Sequence, residues 1–130
     1  MMKIKNIHEI IFNTRLLFVY DCNAIEAENH LNTKNIITNL RKCTGQTGNY
    51  IERTKEKQQS RYYMYIEKGN LTPEIIAHEV SHLCFMSLFD CGIKINQDTD
   101  EIFSYYIEWW IKEINKIIGI KSHEKRQAKN

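Results

Sequence analysis

At 130 residues the chain is long enough for one hydrophobic core and too short for two. Its 42% apolar and 26% charged content is that of an ordinary globular protein, and a net charge of +2 excludes the strongly basic balance of an obligate nucleic-acid or membrane-surface binder. One proline and five glycines exclude collagen-like or low-complexity character, and no stretch is long and clean enough to span a bilayer.

The N-terminal apolar residues Ile4, Ile7, Ile10, Ile11 and Phe12 are interrupted by Asn6, His8, Glu9, Asn13 and Arg15, which is not the continuous core of a secretory signal. The expected location is therefore the cytoplasm, with no membrane partner. Arg15–Cys22, a short apolar, β-branched and aromatic run, reads as a buried strand. Asn23–Lys42 carries Ile25, Leu31, Ile36, Ile37 and Leu40 at roughly helical spacing, and Gly45 and Gly48 read as its end. Asn49–Arg53 and Ser60–Glu67, separated by polar residues, predict a β-hairpin. In its second arm Tyr62, Met64 and Ile66 alternate with Tyr63, Tyr65 and Glu67.

Thr72-Pro73-Glu74 is a helix start, with Thr72 as N-cap and Pro73 in the first helical position. The helix should run to about Asp90, with Gly92 beyond its end. Ile75, Ile76, Val80, Leu83, Cys84, Phe85, Leu88 and Phe89 cover nearly its whole circumference, which predicts burial between other elements. A second helix is predicted from about Asp98 to Ile118, with Phe103, Ile107, Trp110, Ile114, Ile117 and Ile118 as its apolar stripe. The polar Lys121–Asn130 reads as a frayed tail. The order predicts an α+β fold: one domain over residues 1–120, a strand and a hairpin packed on a buried helix and a second C-terminal helix, then a flexible tail over 121–130.

Cys22, Cys43, Cys84 and Cys91 form no C-x-x-C pair, and on one continuous helix Cys84 and Cys91 would stand about 10 Å apart, beyond disulfide reach. Free thiols in a reducing compartment are expected.

His78-Glu79-Val80-Ser81-His82 carries the chemistry. It reads H-E-x-x-H. Residues four apart lie on one helix face, about 6 Å from each other, so His78 and His82 can offer two imidazole nitrogens to one ion. Two neutral imidazoles suit Zn²⁺, and Glu79, off that face, can act as general base on a water. The plainer alternative, two histidines hydrogen-bonded in a core, buries polar groups at a cost without partners.

A catalytic zinc needs a third protein ligand and an open position. The long metzincin pattern is excluded, because Phe85 and Leu88 stand where it needs glycine and a ligand. Asp98, Thr99, Asp100 and Glu101 open the next helix, and Glu101 follows His82 by nineteen positions. Asp100 is the competing ligand, or the group that orients a ligand histidine. His8, His30 and His123 read as surface residues.

With His78, Glu79 and His82 followed by Asp100-Glu101-Ile102-Phe103-Ser104-Tyr105, the chain resembles the gluzincins, thermolysin-like metallopeptidases. It is also similar to small zincin-type proteins of unknown function from phages and other mobile elements, in which a D-E pair and an aromatic helix close the motif. The resemblance covers Tyr62 to about Ile118. It implies a minimal zincin-like domain in which His78, His82 and Glu101 hold Zn²⁺ and Glu79 is the general base. It further implies a peptide or protein substrate paired along an edge strand, for which Tyr62–Glu67 stands in the right place. The oxyanion needs a donor, for which Tyr105, and beside it Tyr106 and Tyr63, offer hydroxyls. The chain departs from the large gluzincins in having Tyr105 where they often carry an acidic residue.

The expected function is zinc-dependent peptide hydrolysis. The competing expectation is a non-catalytic, zinc-containing binding or inhibitory protein on the same frame. Nucleic acid is not an expected partner: Glu124 interrupts the basic residues Lys121, Lys125, Arg126 and Lys129, and no aromatic is interleaved.

Overall fold

A computed structural model describes residues 1–119. The expected tail over 121–130, with His123 and the basic cluster, lies outside the described residues. The chain is α+β, with strands β1 (Lys3–Glu9), β2 (Thr14–Cys22), β3 (Gly45–Arg53) and β4 (Gln58–Glu67), and helices α1 (Ala24–Thr33), α2 (Pro73–Asp90) and α3 (Asp100–Ile118). The strands form one mixed sheet in the order β1-β2-β4-β3.

β2 is central and buried on both faces, which is why its sequence is a continuous apolar run rather than an alternation. It pairs antiparallel with β1 and parallel with β4. Leu16, Phe18 and Tyr20, with Tyr62, Met64 and Ile66 of β4, face the core under α2 and α3. Leu17, Val19, Tyr63 and Tyr65 face a second core, closed by Ala27 and Leu31 of α1 and by Ile36 and Leu40.

The structure corrects several expectations. β1 has no counterpart among the expected elements, because its polar alternation belongs to an edge strand with little burial. It turns back through Asn13 in the left-handed region (φ 54°), and the buried Glu9 carboxylate accepts the Ile11 and Phe12 amides in the turn. α1 stops at Thr33 rather than Lys42. Asn35 is left-handed (φ 61°), and the following segment is held by packing of Ile36 and Leu40 and by the Leu40 amide donating to Glu28 at 2.8 Å. Ile36 and Leu40 there are buried without being helical, and Ile37 between them is exposed. Gly45 and Gly48 do not end a helix but lie within β3.

The largest correction concerns the sheet edge. Tyr62–Glu67 lies in β4, flanked by β2 and β3, so it is an internal strand; β3 is the edge next to α2. α2 begins as expected, with the Thr72 hydroxyl accepting the Ile75 amide at 3.3 Å, and ends before Gly92 at φ 80°. It is not buried all round. Ile76, Val80, Leu83, Cys84 and Leu88 are in the core, whereas His78, His82, Phe85 and Phe89 are exposed.

α3 starts at Asp100, two residues later than expected, and inserts Tyr106, Trp110 and Ile114 beside α2. All four cysteines are free, and burial pushes the Cys84 thiol up to about 12. No helix among the described residues is long and apolar enough to cross a membrane.

A Cβ at Gly48 would stand 2.5 Å from the Tyr63 hydroxyl oxygen and 2.7 Å from its ring. Gly48→Ala is therefore expected to destabilise the fold by about 1–3 kcal/mol, the usual cost of overpacking, as read by urea denaturation. An unchanged midpoint would show that the Tyr63 ring can move aside.

Candidate metal centre

Thr72 and Pro73 start α2, and with Ile76, Val80 and Leu83 buried against the sheet, helical period turns His78 and His82 outward. Their Nε2 atoms stand 3.1 Å apart, with the rings crossed at 81°. Two neutral imidazoles at that distance share one hydrogen bond, one ring donating and the other accepting. The same separation lies close to the edge, about 3.3 Å, of a tetrahedron with nitrogens about 2.0–2.1 Å from a zinc ion. The pair therefore fits two corners of a zinc site. Both rings line a shallow groove of about 470 Å³ with Glu74, Ala77, Ser81, Phe85 and Phe103. Phe85 and Phe103 meet edge to face at 6.2 Å and form its apolar wall.

Glu79 points away from this groove, toward the sheet edge. It is only 5% exposed. The Thr47 hydroxyl donates to its Oε1 at 2.8 Å and lies 3.2 Å from its backbone oxygen. Gly45 leaves the space the side chain occupies, because a Cβ there would stand 3.2 Å from Glu79 Cγ and Oε2. Burial, and after it the negative charge of Glu79, pushes the nearby Cys43 thiol up.

The other expected site residues stand elsewhere. Glu101 is exposed and shares a separate depression with Asp100, Ser104 and Tyr105. Among the described residues no group of three or more His, Cys, Asp or Glu side chains is placed to hold a metal ion. The structure thus brings the two histidines together and brings neither Glu101 nor Asp100 to them; on the α3 side their neighbour is Phe103.

Tyr105 lines an apolar groove with Ile10, Ile11, Ile102 and Trp109 on another side of α3, away from the histidines. Tyr106 is buried and its hydroxyl bonds Glu9 and Thr14 at the β1–β2 turn. Tyr63 faces the α1 core, with its hydroxyl donating to Gln46 at 2.8 Å. His30, expected at the surface, is half-buried, and desolvation followed by Lys34 lowers its pKa.

Thr47 and Gly45 were missed from sequence. Their only signal is a pair of small residues at strand period, and it becomes legible only when β3 is known to be the edge beside α2. No known protein family, no curated protein and no solved structure matches the chain.

Equilibrium dialysis against zinc is expected to find one ion per chain, weakened more than about tenfold by His78→Ala and by His82→Ala. Weakening in Glu101→Ala assigns the third ligand to Glu101, and weakening in Asp100→Ala assigns it to Asp100. Full affinity in both variants leaves a site made by the histidines alone.

Proposed function

We propose that the protein is a zinc-dependent metallopeptidase of gluzincin type, acting on extended peptide or protein segments. The observation that carries this reading is the facing pair of His78 and His82 nitrogens, with the Glu79 carboxylate held on the adjacent flank of the same helix turn. His78 and His82 are two of the ligands; Glu101 is the proposed third, with Asp100 as its alternative. Zinc, when bound, supplies Lewis-acid polarisation of a peptide carbonyl and acidifies a water.

The chain's own groups do the rest. Glu79 is the proposed general base, which would take the proton of the attacking water and return it to the leaving amine after its carboxylate turns from Thr47 toward the histidine groove. β3, the edge strand beside Glu79, offers unpaired backbone groups to an extended peptide, a mode of recognition that needs no particular sequence. Phe85 and Phe103 give the histidine groove an apolar wall. Four free thiols favour a reducing, cytoplasmic setting.

The distance of Glu101 from the histidines favours a second reading, a non-catalytic, zinc-containing binding or inhibitory protein on the same frame. The two are separated with a pool of random-sequence peptides, cleavage being read by mass spectrometry. Glu79→Gln is expected to keep its zinc and to cleave about 10²–10⁴-fold more slowly than wild type. Equal cleavage by variant and wild type would overturn the role of Glu79. No cleavage by a zinc-loaded wild type would favour the binding reading.

A further inference from the structure

The sheet face under α1 changes character beyond the α1 core. Ala27 and Leu31 cover Leu17, Val19, Tyr63 and Tyr65, and the helix stops at Thr33. Toward the β1–β2 turn the same face carries a polar row. His8 pairs with Arg15 across β1 and β2, and Tyr50 pairs with Arg61 across β3 and β4. Leu17 pairs with Tyr63 in parallel register, so two residues back Arg15 and Arg61 stand side by side on the two central strands.

Two cations on neighbouring strands repel, and a cation withdrawn from water needs an anion beside it. Arg61 is only 8% exposed. Its Nε donates to Glu52 at 3.4 Å and its Nη2 to Gln59, which uses two of the five N–H donors of a guanidinium. The Glu52 side chain is 50% exposed, so it offsets the buried charge only in part. Arg15 and Arg61 line a hollow of about 210 Å³ with Asn6, His8 and Tyr50. A second hollow of about 570 Å³ shares Asn6, Leu17, Tyr50 and Glu52 with it, and adds Lys34 at the end of α1 and Arg53. Arg15, Lys34, Arg53 and Arg61 thus border the joined hollow with a single carboxylate, Glu52, in a chain whose charges otherwise nearly balance.

We propose that this hollow is a binding site for a small phosphorylated molecule, whose phosphate seats between Arg15 and Arg61 and whose remainder lies along Tyr50 toward Lys34 and Arg53. A phosphate dianion accepts hydrogen bonds from both guanidinium groups at once and matches both charges, whereas a lone carboxylate leaves one unmatched. The joined hollow has the size of a small-molecule site, about 300–1,000 Å³. It lies on the sheet face opposite α2 and α3, so it is independent of the histidine groove and of the peptidase reading.

The test is thermal unfolding of the full chain with inorganic phosphate or adenosine 5′-monophosphate, against chloride and succinate at the same ionic strength. A ligand of the folded state raises the melting temperature, and both phosphates are expected to raise it by a few degrees at about a hundred times their Kd. Arg15 is exposed, so Arg15→Gln keeps the fold and is expected to weaken phosphate binding more than about tenfold by titration calorimetry. Lys5→Gln removes the same charge from the other sheet face, where Lys5 pairs with Phe18, and is expected to leave the affinity unchanged. Equal losses in the two variants, an equal rise with succinate, or no rise with either phosphate overturns the site. Tighter binding of a single-stranded oligonucleotide than of adenosine 5′-monophosphate, lost in Arg15→Gln, overturns the small-molecule assignment in favour of nucleic acid.

Discussion

The close approach of β3 to α2 is the constraint from which the rest of the site follows. A helix packs on a sheet edge at this spacing only if the facing strand carries small residues. Gly45 supplies the clearance and Thr47 supplies a donor of the right length. A Cβ at 45 would stand 3.2 Å from Glu79 Cγ and Oε2, so the Glu79 side chain would have to give by a few tenths of an ångström to admit it. The same contact is consistent with the phase of α2: with Glu79 turned to β3 and Val80 to the core, His78 and His82 face outward.

α2 illustrates how composition and burial part company. Its residues are apolar around most of the circumference, yet Phe85 and Phe89 are 56% and 70% exposed. Phe85, next to the two histidines, makes with Phe103 an apolar wall for the groove that a polar surface would not make. Helix α3 divides its circumference differently. Tyr106, Trp110 and Ile114 enter the core, Phe103 reaches the histidine groove, and Glu101 with Tyr105 falls on other sides. That division is set by the burial of Trp110. Turning Glu101 toward the histidines by rotating the helix would carry the indole away from its place beside α2.

The hairpin of β1 and β2 joins this arrangement through one buried cluster. Glu9 accepts the turn amides and the Tyr106 hydroxyl, so the far end of the sheet and α3 are bound by groups from opposite ends of the chain. The aromatic edge-to-face contact of Phe12 with Tyr106, at 5.0 Å between ring centroids, completes it. Tyr106 is thereby committed to structure rather than to chemistry at the histidines.

Much was legible in the residues alone, and the reason is local physics. The α2 start at Thr72-Pro73, its stop before Gly92, the strand character of Arg15–Cys22 and the facing of His78 and His82 all depend on capping, backbone preference and helical period, which are properties of neighbouring residues. What the sequence could not decide was which strand is the edge, why Gly45 and Gly48 are glycines, how far α1 runs and where Glu101 points. Each depends on contacts between residues far apart in the chain: Gly45 with Glu79, Gly48 with Tyr63, Leu40 with Glu28, and Trp110 with the core beneath α2. The sequence by itself determined the central strand, helix α2 with both its ends, and the two-histidine turn, because those are settled within a few residues. Only the tertiary structure decided that β3 meets Glu79 and that Glu101 stands apart from the histidines, because packing of the whole core sets strand order and helix rotation.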